Sequence, residues 1–181
     1  MEPARHAART PPLHRHAALQ PLSREHMSGL IQARNLQRAA GEGRGACVRA
    51  AAEFVRVWQA EIVGHFDDEE RLLVPLIDDP ASRERLVREH REIRALADRC
   101  RAVAAGEGVQ PEALARLGTL LHDHIRWEER ALFEAIQRDH PDALAAMLDH
   151  AEEIERVRPG ARRRRTFPEG GKDGKEGGDR E

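Results

Sequence analysis

Six residues in this chain have the types and spacings that hold metal ions. His65 precedes Glu69 by four positions, and His124 precedes Glu128 by four. On an α-helix that spacing stacks both side chains on one face, one turn apart, so both reach one metal or the carboxylate bridges to a second. Each pair has an upstream Arg-Glu-His, in Leu22-Ser23-Arg24-Glu25-His26 and in Leu86-Val87-Arg88-Glu89-His90. The order is His26, His65/Glu69, His90, His124/Glu128, with the two copies offset by 64 and 59 residues. Four imidazoles and two carboxylates suit iron, manganese or zinc.

The elements that carry these residues read as helices. Ser23 is the expected cap of a first helix that stops at Gly41. A second runs from about Ala46 to the region of Pro75. Ser82 is the expected cap of a third, which fades at Gly106. Pro111 suits the first turn of a fourth, ending near His140-Pro141, and a short last helix follows to about Arg158. The stripe Phe54, Trp58, Ile62, His65, Glu69, Leu72 advances by threes and fours, as do Leu86, His90, Ile93, Ala97 and Leu117, Leu121, His124, Glu128. No alternating run signals a strand. The expected fold is all-α, an antiparallel up-down-up-down four-helix bundle with a short extra C-terminal helix and disordered tails. Residues 1–20 read as a flexible arm, 21–158 as the bundle and 159–181 as a disordered charged tail. The Arg162–Arg165 run opens that tail as a solvated charge block.

His65, Glu69, His90, His124 and Glu128 occupy seam positions where leucine is expected. A buried carboxylate without a partner costs several kcal/mol, so it needs a cation or a proton. One such residue is readily a satisfied core polar group, and a metal-free bundle with His/Glu layers is the bland alternative. Two copies in register favour a metal. The ferritin-like plan needs Glu-x-x-His in two helices, and no bundle histidine has Glu three positions before it.

Bulk properties exclude several classes. The chain has 181 residues, one domain's length, with 40% apolar residues and a net charge of −2. That balance gives no electrostatic case for nucleic acid or membrane partners. Cys47 and Cys100, with no Cys-x-x-Cys, fit a reducing compartment. No apolar leader or bilayer-length stretch is evident, so the expected address is cytoplasmic. Nothing in the sequence fixes the oligomeric state. With no tyrosine in the chain, a tyrosyl radical is excluded.

With these motifs in place, residues 13 to 157 resemble the hemerythrin-like (HHE cation-binding) domain. The resemblance rests on Leu22-Ser23-Arg24-Glu25-His26, His65-Phe66-Asp67-Asp68-Glu69-Glu70, Arg88-Glu89-His90 and His124-Ile125-Arg126-Trp127-Glu128-Glu129, with Leu73-Val74-Pro75 after the first Glu-Glu. It implies a non-haem centre of two iron ions with an oxo or hydroxo bridge. It makes His26, His65, His90 and His124 terminal ligands, with Glu69 and Glu128 as bridges. Oxygen-carrying members have another histidine one turn after the third-helix histidine, where this chain has Arg94. They also place an aspartate five residues after the fourth-helix histidine, where this chain has Glu128 four after His124. One fewer protein ligand implies an open or solvated metal position, favouring turnover or autoxidation over oxygen carriage.

The resemblance leaves three classes: binding or sensing of oxygen, nitric oxide or peroxide; catalase-like peroxide decomposition; and iron storage, delivery or metal homeostasis. The expected partner is a small diatomic or peroxide ligand. The family's iron–sulfur repair proteins carry an extra Cys-bearing N-terminal domain with no counterpart in this sequence, which disfavours that branch. Glu25, Glu61 and Glu89 are candidate acceptors for imidazole N–H groups. Glu70 and Glu129, 100° around the helix from the bridging positions, are expected in exposed ion pairs. His122, His140 and His150 read as surface, Trp58 and Trp127 as packing, and His6, His14 and His16 as parts of the arm.

Overall fold

The computed structural model describes residues 14–161, and every regular element among them is helical. The calls on residues 1–13 and on 162–181, including His6 and the Arg162–Arg165 run, lie outside the described residues. Helix α1 (Gln20–Ala40) begins three residues before the expected cap Ser23. Pro21 explains this: its fixed φ suits a first helical turn. A 3₁₀ turn, Ala17–Leu19, leads in, capped by the His16 side chain. Helix α4 (Pro80–Ala104) also starts early, with Pro80 in the first turn. Its cap is Asp79, which accepts from Ser82 N at 2.9 Å, while the expected cap Ser82 donates its hydroxyl to Asp79 at 2.7 Å.

The expected second helix is α2 (Arg44–Val57) and α3 (Val63–Leu72), joined without interruption by a π-helical turn, Trp58–Ile62. The expected fourth is α5 (Pro111–Trp127) and α6 (Phe133–Asp139), joined by a π-helical turn, Glu128–Leu132. The last helix is broken at Met147 into α7 (Pro141–Ala146) and α8 (Leu148–Val157). Helix α1 packs on α2 and α5, and α4 packs on α2 and α5. Gly118 lets α1 and α5 approach closely: a Cβ there would lie 2.5 Å from the Ala33 carbonyl oxygen.

Two apolar cores fill the molecule. One contains Ala33, Phe54, Phe66, Ile93, Leu121 and Ile125. The other contains Leu22, Leu73, Leu86, Leu132 and Phe133, with Leu19 and Ala161 from the flanks. In α1, α3, α4 and α5 with its π turn, the His and Glu residues fall between the two cores. Apolar burial on both sides thus fixes the height of a polar layer. Within the expected arm, Arg15, Ala18 and Leu19 are buried, and within the expected tail Ala161 is buried. Both flanks help to close the second core. No helix among the described residues is long and apolar enough to cross a membrane.

Candidate metal centre

The structure brings together all six residues singled out as ligands. His26 projects from α1, His65 and Glu69 from α3, His90 from α4, His124 from α5 and Glu128 from the π turn. His90, His124, Glu69 and Glu128 are completely buried. Two four-residue clusters form, His26/His65/Glu69/Glu128 and Glu69/His90/His124/Glu128, and both glutamates belong to each. Glu69 Oε1 lies 3.1 Å from His65 Nε2, and its Oε2 lies 3.4 Å from His90 Nε2. Glu128 Oε1 lies 3.1 Å from His124 Nε2, and its Oε2 lies 3.2 Å from His26 Nε2. Each carboxylate therefore turns one oxygen to each histidine pair.

These central atoms lack ordinary partners. His26 Nε2, His65 Nε2 and all four oxygens of Glu69 and Glu128 are buried and make no hydrogen bond. His90 Nε2 and His124 Nε2 face one another at 3.0 Å. Native proteins rarely leave buried polar atoms unmatched, because each costs about 1–3 kcal/mol and a charge costs more. Six together, on donor types that bind transition metals, fit a pair of cations.

A ring of carboxylates aims the imidazoles. Glu25 meets His65 Nδ1 at 3.1 Å, and Glu70 meets His90 Nδ1 at 2.8 Å. Glu89 meets His124 Nδ1 at 2.9 Å, and Glu129 meets His26 Nδ1 at 2.6 Å. With Nδ1 accounted for, each Nε2 is turned to the centre, as a metal ligand requires. The expectation for Glu25 and Glu89 holds. Glu70 and Glu129 make the expected ion pairs, with Arg94 and Arg15, but each also reaches an imidazole, and only the Glu70 pair is partly exposed: the Arg15–Glu129 pair is corrected to a largely buried one. Glu61 is also corrected, since it makes no bond to an imidazole and its Oε2 is buried without a partner.

Sequence reading missed a further layer, in which each carboxylate of the ring is held by an arginine. Arg158 Nε donates to Glu25 at 2.6 Å, and Arg94 Nη1 to Glu70 at 2.6 Å. Arg85 Nε donates to Glu89 at 2.8 Å, and Arg15 Nη2 to Glu129 at 2.6 Å. The Arg85/Glu89 spacing of four is visible in sequence, whereas the Arg15 and Arg158 contacts span 114 and 133 residues. Arg94 stands where oxygen carriers were expected to place a ligand, and it is tied to Glu70 and Asp67. Phe66 stacks on the His90 ring at 3.8 Å, and Trp127 lies 6.2 Å from the His124 ring. His122 stays outside the centre, pairing with Asp123.

Electrostatics follow this layering. Burial opposes charge on His26, but Glu128, Glu129 and Glu69 outweigh it and raise its pKa well above the ordinary value. Burial is likewise outweighed at His65, raised to about 9 beside Glu69 and Glu25, and at His90, raised to about 10 beside Glu128, Glu69 and Glu70. Against the same burial, the imidazoles hold Glu69 well below the carboxylate range. The hydrogen bond from His90, opposed by burial and helped by Arg94, takes Glu70 down to about 2. Two ionised carboxylates draw positive charge into the layer, and imidazolium protons or metal cations answer that demand.

A cavity of about 10 Å³ adjoins one side of the layer, lined by Glu25, His26, Gly29, Glu61, His65 and Phe66 among others. That is room for about one water-sized molecule. No curated protein and no solved structure matches the chain at a significant level. The family model described as hemerythrin HHE cation binding domain matches residues 17–136 and, overlapping them, 84–180. The matched ranges take in all four histidines and both shared glutamates, and the chain belongs to the hemerythrin HHE cation-binding domain family.

Proposed function

We infer that this protein is a non-haem di-iron protein that binds or reacts with a small ligand: oxygen, peroxide or nitric oxide. The observation that carries the reading is the sharing of Glu69 and Glu128 by two clusters that each add two histidines. On this reading His26 and His65 would hold one iron and His90 and His124 the other, with Glu69 and Glu128 available to both. Bound iron supplies a change of oxidation state and coordination positions open to a small ligand. The chain supplies orientation, since Glu25, Glu70, Glu89 and Glu129 fix the ring nitrogens. It also excludes bulk water through the two apolar cores. The water-sized cavity beside His26 and His65 is the side from which a small ligand would approach the layer.

The bundle that holds this centre is read as antiparallel, up-down-up-down. The order of the cores supports this: α1 and α4 run from the Leu22/Leu86 core to the Ala33/Ile93 core, whereas α3 and α5 with α6 run the other way. Iron storage or delivery is less favoured, because ligands at 0–4% exposure give no open route for frequent metal exchange. The test is metal analysis after iron-replete expression, followed by optical spectra of the reduced protein exposed to air, nitric oxide and hydrogen peroxide. About two iron atoms per chain and ligand-dependent spectral changes are expected. Zinc alone, or less than about half an iron per chain, overturns the reading.

A further inference from the structure

The six central residues are at 0–4% exposure, so no cation reaches them unless part of the chain moves. Behind His90 and His124 the outer groups Arg85 and Arg94 belong to α4 itself, and Phe66 lies flat on the His90 ring at 3.8 Å. Over His26 and His65 the cover includes the chain's flank: Arg158 and the 3₁₀ turn Pro159–Ala161, a strap that lies against α1. Arg158 crosses from one helix to another. Its Nε and Nη2 donate to Glu25 on α1 at 2.6 and 3.0 Å, and its Nη1 donates to Asp68 on α3 at 2.6 Å. Gly64 leaves room for this crossing, since a Cβ there would lie 3.3 Å from Arg158 Nη1. The position one before the histidine in the other half, Asp123, is exposed. Gly160 closes down on both carboxyl side chains: a Cβ there would lie 2.6 Å from Glu61 Oε2 and 3.4 Å from Glu25 Cγ. Glu25 and Glu61 also line the water-sized cavity that touches His26 and His65. Strap, carboxyl side chains, cavity and imidazoles therefore stand in series.

We propose that the strap Arg158–Ala161 is the gate through which metal cations enter and leave the centre, with Arg158 as its bolt. The inference rests on the metal reading of the centre, though not on the metal being iron. When the gate is closed, the Arg158 guanidinium occupies the place of a cation against Glu25 and Asp68. When it swings out, it uncovers the cavity wall and frees carboxylate oxygens that a divalent cation meets before the imidazoles of His26 and His65. A short flank held by a few side-chain contacts opens at lower cost than a helix of the bundle. What holds the gate is separable from what aims the ligands. The Ala161 carbonyl accepts from Arg24 Nη1 at 2.7 Å, and the Ala161 side chain is fully buried in the second core. The other bonds of Arg24 go to Glu155 and Gln20, neither of which holds an imidazole.

The test follows cobalt(II) uptake by absorption, and its release to a competing chelator, in the full chain and in three variants. Arg24→Ala removes the bond to the strap, and Ala161→Asp puts a charge into an apolar core. Both should speed uptake and release alike, about tenfold for Arg24→Ala, and keep the equilibrium affinity within about threefold. Arg85→Ala, which loosens Glu89 in the other half, should weaken affinity with the uptake rate unchanged. In the metal-free chain, the amides of Arg158 and Ala161, bonded to the Ile154 and Arg158 carbonyls, should exchange hydrogen faster in both strap variants, with those of α4 unmoved. Unchanged uptake in both strap variants, or an equal gain from Arg85→Ala, overturns the gate while the metal reading stands. Weaker affinity without faster uptake makes the strap a brace and overturns the gate as well. No cobalt uptake by any of the four chains overturns the metal reading, and the gate with it.

Discussion

Around His90 and His124, support is local. Arg85 and Arg94 hold Glu89 and Glu70, and both arginines lie on α4, the helix that carries His90. Around His26 and His65, support comes from the chain's flanks: Arg15 holds Glu129, and Arg158 holds Glu25. The flank arginines have side-chain exposures of 6% and 13%, against 35% and 31% for Arg85 and Arg94. The π turns differ as well. One ends three residues before His65, and the other begins at Glu128 itself. The cavity opens beside the first pair, while Phe66 stacks flat on His90 in the second. One His/Glu pattern has thus been fitted into two settings: a locally braced, closed half and a half completed by tertiary closure, with a water-sized cavity beside it.

The sharpest break of this comparison is through the residues the halves share. Each of Glu69 and Glu128 faces both histidine pairs, so Glu69→Ala or Glu128→Ala should empty the whole centre, taking metal from about two atoms per chain to below about one. Glu70→Ala and Glu129→Ala each release one imidazole only. They should keep the stoichiometry at saturating metal and lose about tenfold to a hundredfold in affinity. Metal titration with counted iron separates these outcomes. Equal stoichiometric loss in all four variants would show that the inner and outer carboxylates have been wrongly divided.

Metal removal comes next in size. Metal-free protein should melt well below the loaded form, because its central layer keeps buried polar atoms unmatched and because a ligand bound only by the folded state stabilises it by mass action. Thermal melts with ferrous iron added anaerobically check this, and an unchanged midpoint contradicts it.

A smaller effect compares the halves directly. Arg158→Gln removes a nearly buried cation that bonds Glu25 and Asp68, and should cost about 1–3 kcal/mol. Arg94→Gln removes one that is a third exposed, and should cost about 1 kcal/mol or less. Denaturant titrations of both variants in the metal-free state would read the difference. A larger loss from Arg94→Gln would reverse the assignment of which half depends on tertiary closure.

The features that repeat locally were the legible ones. His-x-x-x-Glu and Arg-Glu-His are short patterns whose helical phase fixes their facing, so the six central residues and the helical class followed from spacing. Ser23 and Ser82 misled because each lies just after a proline able to occupy a first helical turn. Glu70 and Glu129 make their expected ion pairs, but their reach to an imidazole was not legible, because one helix's phase does not say what its neighbour presents. Arg15 and Arg158 were invisible, since chain ends rich in arginine and proline read as solvated until a carboxylate over 100 residues away is seen to face them. The π turns leave no periodicity break strong enough to read.

The finest distinction is in pH, and it works through the metal-free protein. His65 is raised to about 9 and His90 to about 10 against an ordinary value of 6.5. A group whose pKa is higher folded than unfolded contributes stability that is full below the unfolded value and is lost as pH rises through the folded value. Metal-free protein should therefore lose stability from about pH 6.5 upward, with the His65 contribution gone by a lower pH than that of His90. Metal affinity should move the other way, because a cation must displace the protons that the imidazoles hold, and it should rise across the same interval. The loaded protein, its Nε2 atoms committed to metal, should show little of the decline. Melts of metal-free and loaded protein at pH 6, 8 and 9.5, with proton release measured during metal uptake, test both slopes. A metal-free midpoint that stays level or climbs across this range would mean that the central imidazoles are neutral, and that protons do not stand in for the cations.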